Sequence, residues 1–262
     1  MSLRLYVPGP LAAGAEIDLP EGATRHAQVR RVQPGDRLRL FDGSGCDWPA
    51  EVLSIGRRAL RVRLDAPEAV SCELFGAVTL AFAMPANERM DALVEKATEL
   101  GVARLQPLLS ERSVLRLQGE RAERRREHWQ AVAVAACEQC GRARVPVVEP
   151  VRTLAGWLDT LGGAPTPHGA PAAPAAVATG PRWLLTLSPD TPPIATQPLT
   201  GAPMLLSGPE GGLSADEERA ARSAGFAAVS LGPRVLRADT APLAALAWWG
   251  LALAARERGG AN

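Results

Sequence analysis

The residues of this chain best placed to do chemistry sit on two glycine-bearing loops. Ser207-Gly208-Pro209-Glu210-Gly211-Gly212 follows the apolar run Pro203 to Leu206, and the run Phe226 to Leu231 stops at Gly232-Pro233. Glycines bare the backbone N–H groups and permit φ angles that other residues resist, so such loops can hold a ligand against the main chain. Arg237, Asp239 and Thr240 come just behind the second loop. The first loop is neither G-x-G-x-x-G nor G-x-x-x-x-G-K-[ST], and it lacks the lysine that a P-loop sets on phosphate. A tight strand-to-helix turn would explain either loop alone. Two of them in one short segment, with charged and hydroxyl side chains behind the second, point to a bound ligand without identifying it.

These loops need elements to hold them. Ser214 and Glu217 have the spacing of a capping box, which predicts a helix from there to about Gly225. The segment thus reads strand, glycine turn, helix, strand, second glycine turn, and in α/β proteins ligands gather at the carboxyl ends of such strands. Upstream, Val78 to Met84 is an apolar strand, Asn87 to Leu100 a helix stopped by Gly101, and Val102 to Leu109 another buried strand. That succession predicts an α/β fold, a parallel sheet with crossover helices. Ser110-Glu111-Arg112-Ser113 follows the second strand, which points Arg112 towards the face of the glycine loops. A helix from about Gln118 to Gln139 carries Glu and Arg at i,i+3 and i,i+4, the pattern of a solvated face, and His128 beside Trp129 reads as a packed histidine. Trp183 to Leu187 is a third strand. An alanine-rich helix from about Pro242 to Arg256, with Trp248 and Trp249, suits a dimer interface or an ordinary core helix. Residues 162–182 are almost all Gly, Ala, Pro and Thr and predict a mobile surface insertion, whose His168 is assigned no role.

The first 70 or so residues differ. Arg37 to Phe41 and Ala59 to Leu64 alternate polar and apolar between Pro-Gly-Asp and Asp-Gly-Ser-Gly turns, the features of a small β-barrel. Arg57, Arg58, Arg61 and Arg63 face outward, and Arg25, His26, Arg30 and Arg31 precede the first turn. They describe an RNA-facing surface or a plain solvated face equally well. With 262 residues the chain has room for this small domain and a larger one. A net charge of +1 leaves no global field for nucleic acid or membrane, so a polyanion must be met by a local patch. Lys96 is the only lysine among 29 basic residues; arginine suits bidentate phosphate and base contacts, and a genome-wide coding bias explains the same fact. Four cysteines are too few and scattered for a disulfide framework, and Cys137-Glu138-Gln139-Cys140 lies at a helix end with no second pair at zinc spacing, which reads as two half-buried helix cysteines. The start lacks an apolar signal core, and the run Leu243 to Ala255 falls short of the ~20 residues that span a bilayer. These features predict a soluble, cytoplasmic protein.

Several stretches together resemble one family. MPANERMDALVEKATELGV (84–102), SERSV (110–114), EHWQAVAVAACEQCGRARVP (127–146), LLSGPEGGLSADE (205–217) and SLGPRVLRADTA (230–241) are similar to the bacterial 16S rRNA uridine N3-methyltransferases. That family is called ribosomal RNA small subunit methyltransferase E, within the SPOUT superfamily of knotted methyltransferases. HAQVRRVQPGDRLRLFDGSG (26–45) is similar to its PUA-like RNA-binding barrel. The resemblance implies two domains, 1–72 and 73–262, a trefoil knot near the carboxyl terminus, S-adenosylmethionine bound bent within it, and a homodimer with a shared active site. It implies that main-chain groups of Ser207, Gly208, Pro209, Gly211 and Gly212, and of Leu231, Gly232 and Leu236, hold the cofactor, with Leu187 at a third loop. His26, Arg30, Arg31 and Arg112 would contact 16S rRNA, in the 30S subunit. No metal is implied.

Methylation at uracil N3 requires that the N–H lose its proton, and negative charge then builds on the ring oxygens. A guanidinium aimed at them stabilises that charge as an oxyanion hole does. Arg237 is the first candidate and Arg112 the second, while Glu210 and Asp239 are the candidate proton acceptors. The chain departs from the family pattern at Asp239, where glutamate is usual, and at Ala86, where lysine is common. Rival readings are a SPOUT enzyme acting on tRNA or 23S rRNA, and a non-catalytic RNA-binding assembly factor.

Overall fold

The computed structural model describes residues 3–56, 59–70, 72–74, 76–162 and 180–259. Arg57, Arg58, His168 and most of the stretch expected to be an insertion lie outside the described residues. The chain divides into two units, residues 1–73 with Val134–Val145, and residues 74–133 with 146–262. The second piece of the first unit is not foreseen by a boundary at residue 72.

In the first unit the elements are β1 (Arg4–Tyr6), β2 (Glu16–Asp18), α1 (Glu21–Val29), β3 (Arg37–Phe41), β4 (Cys46–Ile55), β5 (Leu60–Leu64) and β6 (Glu68–Ala69). The strands make a six-stranded sheet in the order β1-β3-β4-β5-β2, with β6 paired to β4. Alternation sends Leu60, Val62 and Leu64 into the core and Arg61 and Arg63 out. Arg61 pairs with Glu16 at 3.2 Å and Arg63 with Glu51 at 2.6 Å, so these two arginines belong to a solvated, ion-paired face. Arg25, His26, Arg30 and Arg31 sit not on a strand but on α1 and its carboxyl end. Ala23 and Ala27 recur one turn apart there and pack against the sheet core. Val134–Val145 contributes Cys137 and Ala143 to a small cluster with Phe41, and Arg142, 4% exposed, pairs with Glu73 at 2.8 Å. Cys137 is fully buried and Cys140 half-buried; burial pushes the Cys137 thiol up to about 12. A thiol in that state is packing, not a nucleophile.

The second unit contains β7 (Thr79–Ala83), α2 (Asn87–Glu99), β8 (Arg104–Leu109), α3 (Gly119–Cys140), β9 (Val147–Val148), β10 (Arg152–Thr153), α4 (Leu154–Gly162), β11 (Arg182–Leu185), β12 (Met204–Ser207), α5 (Ala215–Ser223), β13 (Ala227–Val229) and α6 (Thr240–Gly259). The last seven residues of α3 fall in the first unit. The sheet runs β10-β8-β7-β12-β11-β13, with β9 on β8, and its pairings are parallel. Every residue of β7 is buried, as expected of a strand covered on both faces. Successive side chains of β11 part to opposite faces. Leu184 joins Leu154, Trp157 and Phe226 under α4 and α5, whereas Trp183 meets Trp248 and Trp249 of α6 at ring-centroid distances of 5.9 and 5.6 Å. His128 is not packed: its Nε2 lies 2.7 Å from Asp91 Oδ2, with the ring 45% exposed. On a helix face already lined with Glu and Arg, that imidazole gains more from a carboxylate than from an apolar neighbour.

The predicted cap of α5 is present. Ser214 Oγ accepts from the Glu217 N–H at 3.3 Å, and the Glu217 carboxylate accepts from the Ser214 N–H at 2.9 Å. Ser214→Ala is expected to destabilise the protein by about 1 kcal/mol, lowering Tm by roughly 2–4 °C in thermal unfolding. An unchanged Tm would show that the cap does not support the loop before it.

Candidate functional site

β12, β11 and β13 are adjacent and parallel, so the loops after all three leave the sheet at the same edge. These loops enclose a cavity of about 580 Å³, within the range of small-molecule sites. Arg89, from the first turn of α2, and Arg112, after β8, complete its wall. Leu185, Leu187, Leu213, Leu231 and Leu236 give it an apolar lining, and Val235 at its mouth is 81% exposed.

Ser207 ends β12 and is 2% exposed. Four buried side-chain polar atoms among the described residues lack a hydrogen-bond partner; three are indole N–H groups, and the fourth is the Ser207 hydroxyl. Burying a hydroxyl unpaired is costly; Ser207 belongs to the cavity wall, although its Oγ is itself shielded from solvent. Gly208 is needed for space: a Cβ there would stand 2.9 Å from the Leu213 backbone nitrogen. Gly212 is needed for conformation, with φ +68°.

Side chains brace the loop. Glu210 Oε1 accepts the Ala86 N–H at 2.9 Å, tying the loop to the start of α2. Arg112 Nη1 donates to the carbonyls of Gly211 at 2.9 Å and Leu213 at 3.5 Å. Glu217 Oε1 accepts the Glu111 N–H at 2.7 Å. The second loop is pinned by the Gly232 N–H donating to Ser230 Oγ at 3.1 Å.

Of the residues expected to form one site, Leu187, Ser207, Gly208, Pro209, Glu210, Gly211, Gly212, Leu231, Leu236, Arg237 and Arg112 line the cavity. Gly232 and Asp239 are not in its lining, and the Asp239 carboxylate is taken by Arg89, Nη1 to Oδ1 at 3.0 Å. Arg112 reaches the cavity, yet its guanidinium Nη1 is committed to loop carbonyls. His26, Arg30 and Arg31 belong to the first unit, where His26 Nδ1 lies 3.5 Å from Glu138 Oε2 and both arginines are exposed. Sequence reasoning missed Arg89, Arg234, Glu218, Thr186 and Ser188. The rule that ligands gather where parallel strands end would have found Arg89, because it opens the helix that follows β7. Among the described residues no cluster of three His, Cys, Asp or Glu side chains is arranged to hold a metal ion.

The family model for an RNA methyltransferase domain matches residues 73–250, and that for an RNA methyltransferase PUA domain matches residues 19–65. The chain is thus an RNA methyltransferase-domain protein carrying a PUA domain. It is 35% identical over 236 residues to ribosomal RNA small subunit methyltransferase E of Mycobacterium bovis, covering 89% of this chain and 85% of the relative. The Synechocystis protein of the same name is 31% identical over 258 residues, covering 94% and 77%. The crystal structure of the Neisseria gonorrhoeae enzyme of that name, bound to S-adenosyl methionine, superposes with a TM-score of 0.82 at 32% identity, covering 95% of this chain and 96% of that one. A Legionella pneumophila structure in complex with the same cofactor gives 0.84 at 29% identity, covering 96% and 98%. This chain belongs to the ribosomal RNA small subunit methyltransferase E family.

Proposed function

We propose that this protein transfers the methyl group of S-adenosylmethionine to N3 of a uridine in the decoding region near the 3′ end of 16S rRNA. The observation that carries the reading is the convergence of three strand-end loops on one cavity with Ser207, its hydroxyl unpartnered, in the wall, in a chain of this family. The residues fit the cofactor: apolar walls, close-approach glycines and an unmet hydroxyl suit a molecule with flat, polyhydroxylated and zwitterionic parts. When bound, the cofactor supplies an electrophilic methyl group.

Main-chain groups of Ser207 to Gly212 and Leu231 to Leu236, with Leu187, grip and orient it. Arg237, exposed at the cavity mouth, faces the uracil oxygens where charge builds. Glu210, fixed by the Ala86 N–H, takes the N3 proton. Arg112 acts on the RNA side of the cavity while bracing the glycine loop. Residues 1–72 serve as the RNA-binding domain, with His26, Arg30 and Arg31 as contacts, and 73–262 as the transferring domain. The reading extends to a trefoil knot around the three loops, a homodimer through α6, where Leu251 is 73% exposed, and work on the 30S subunit in the cytoplasm. No helix among the described residues is long and apolar enough to cross a membrane.

The test is incubation of the purified protein with 30S subunits and labelled cofactor, followed by nucleoside analysis. N3-methyluridine confined to 16S rRNA is expected; label in tRNA or 23S rRNA, or cofactor binding without any transfer, would overturn the substrate assignment. Ser207→Ala is expected to weaken cofactor binding by about 1 kcal/mol, roughly fivefold in Kd, while leaving the free protein at least as stable, because the hydroxyl is unpaired without ligand. Calorimetric titration reads the first effect and thermal unfolding the second. An unaltered Kd would remove this hydroxyl from the site.

A further inference from the structure

Removing the N3 proton from uracil spreads negative charge over two oxygens, O2 and O4, one on each side of the nitrogen. One guanidinium serves one of them. A site that ionises this ring therefore gains from a second cation on a different part of its wall. Arg112 spends its Nη1 on the carbonyls of Gly211 and Leu213 and is kept as the RNA contact proposed above, and Arg234 and Arg237 come from one loop. The remaining arginine of the wall is Arg89, which enters from α2.

We propose that Arg89 is the second charge-stabilising group of this site, set against a carbonyl oxygen of the target uracil, and that Asp239 positions it rather than accepting the N3 proton. The inference rests on the uridine N3 reading above. Arg89 Nη1 donates to Asp239 Oδ1 at 3.0 Å, and the two side chains are only 25% and 23% exposed. Asp239 is not in the cavity lining, whereas Arg89 is. Asp239 holds one carboxylate oxygen against that guanidinium and, unlike Glu210, is not in the cavity wall, which favours a positioning role. That guanidinium has five N–H donors in a rigid fork, so one bond to Asp239 leaves others for the cavity. The pair also ties the first turn of α2 to the residue just before α6, and so fixes the cation relative to the loop that carries Arg237. In the step itself the N3–H bond breaks with its proton passing to the Glu210 carboxylate, and the N3 electron pair forms the bond to the methyl carbon. The carbon–sulfur bond breaks with its pair left on sulfur. Arg89 neither gives nor takes a proton.

The experiment is single-turnover methylation of 30S subunits at saturating cofactor, run across pH for wild type, Arg89→Gln, Arg89→Lys, Asp239→Asn and Asp239→Glu, with cofactor Kd and Tm for each. Arg89→Gln is expected to lower the limiting rate about 10²–10³-fold, with cofactor Kd unchanged, and to move the rising limb of the rate to higher pH. The limb moves because the bound N3–H ionises less readily without the cation. Arg89→Lys recovers part of the rate. Asp239→Asn loses less than Arg89→Gln and keeps a rising limb, and Asp239→Glu, which restores a partner for Arg89, restores the rate. Three results would overturn the assignment. One is an Arg89→Gln protein whose half-saturating RNA concentration rises while its limiting rate stays, which makes Arg89 a phosphate contact. Another is an Asp239→Asn protein that loses more of its limiting rate than Arg89→Gln, which makes Asp239 the proton acceptor. The third is an Arg89→Gln protein that is unaffected in either quantity. A wild-type protein that makes no N3-methyluridine fails the underlying reading instead, and is recognised before any variant is compared.

Discussion

Replacing Arg237 with alanine is expected to slow methyl transfer about 10²–10³-fold in single turnover while leaving cofactor affinity unchanged. Arg237 lines the cavity, its side chain is exposed, and among the described residues it has no ion-pair partner. Its backbone carbonyl meanwhile accepts the N–H groups of Thr240 and Ala241 at 3.0 Å each, so the main chain is held at the start of α6 whatever the side chain does. Loss of the side chain thus removes a cation and little else. Arg237→Lys separates charge from shape: an ammonium is a point charge without the planar fork, and a partial loss shows that the fork matters. An unchanged single-turnover rate for Arg237→Ala would remove this residue from the chemistry and leave Arg89 as the sole charge stabiliser proposed.

The second large effect is at Gly208. An added Cβ meets the Leu213 nitrogen at 2.9 Å, the Gly212 carbonyl carbon at 3.1 Å and the Gly212 Cα at 3.2 Å, all main chain. No side chain can swing aside to make room, so the loop itself must move. Overpacking of this kind costs about 1–3 kcal/mol, and the displaced atoms are those proposed to grip the cofactor. Gly208→Ala is therefore expected to weaken cofactor binding by at least about tenfold, the equivalent of 1.4 kcal/mol, with a smaller fall in Tm. Gly212→Ala makes the comparison, because nothing stands within 4 Å of its added Cβ and only φ +68° opposes it. Calorimetry that finds Gly208→Ala binding as tightly as wild type would show that the loop does not carry the cofactor.

What the sequence discloses of this protein follows the range of the forces involved. The cap of α5 is legible because Ser214 and Glu217 are three residues apart and satisfy each other. The parallel sheet is legible because β7 and β8 are apolar runs divided by a helix-length interval. The glycine loops stand out because close approach and left-handed φ leave few alternatives to glycine. Arg89 did not stand out, since its partner Asp239 is 150 positions away and one exposed-looking arginine in a helix reads like any other. His128 was misread for the same reason, its partner Asp91 lying on a different helix. Local alternation likewise gives no hint that Arg25 to Arg31 leave the strand pattern for α1.

The helix α3 is divided between two structural units, and this bears on how separable the amino-terminal unit is. Phe41 lies against Cys137 and Ala143, Glu73 is paired with Arg142, and the Arg4 guanidinium donates to the Cys137 carbonyl at 2.7 Å. A fragment ending near residue 72 would lose all of these, baring an aromatic ring and leaving the Arg4 guanidinium with Asp47 but without its carbonyl acceptor at Cys137. The amino-terminal unit is thus no cassette that evolution or an engineer can lift out and attach to another enzyme. It is completed by a segment read from the middle of the chain, so during synthesis it stays unfinished until the first crossovers of its neighbour have been made.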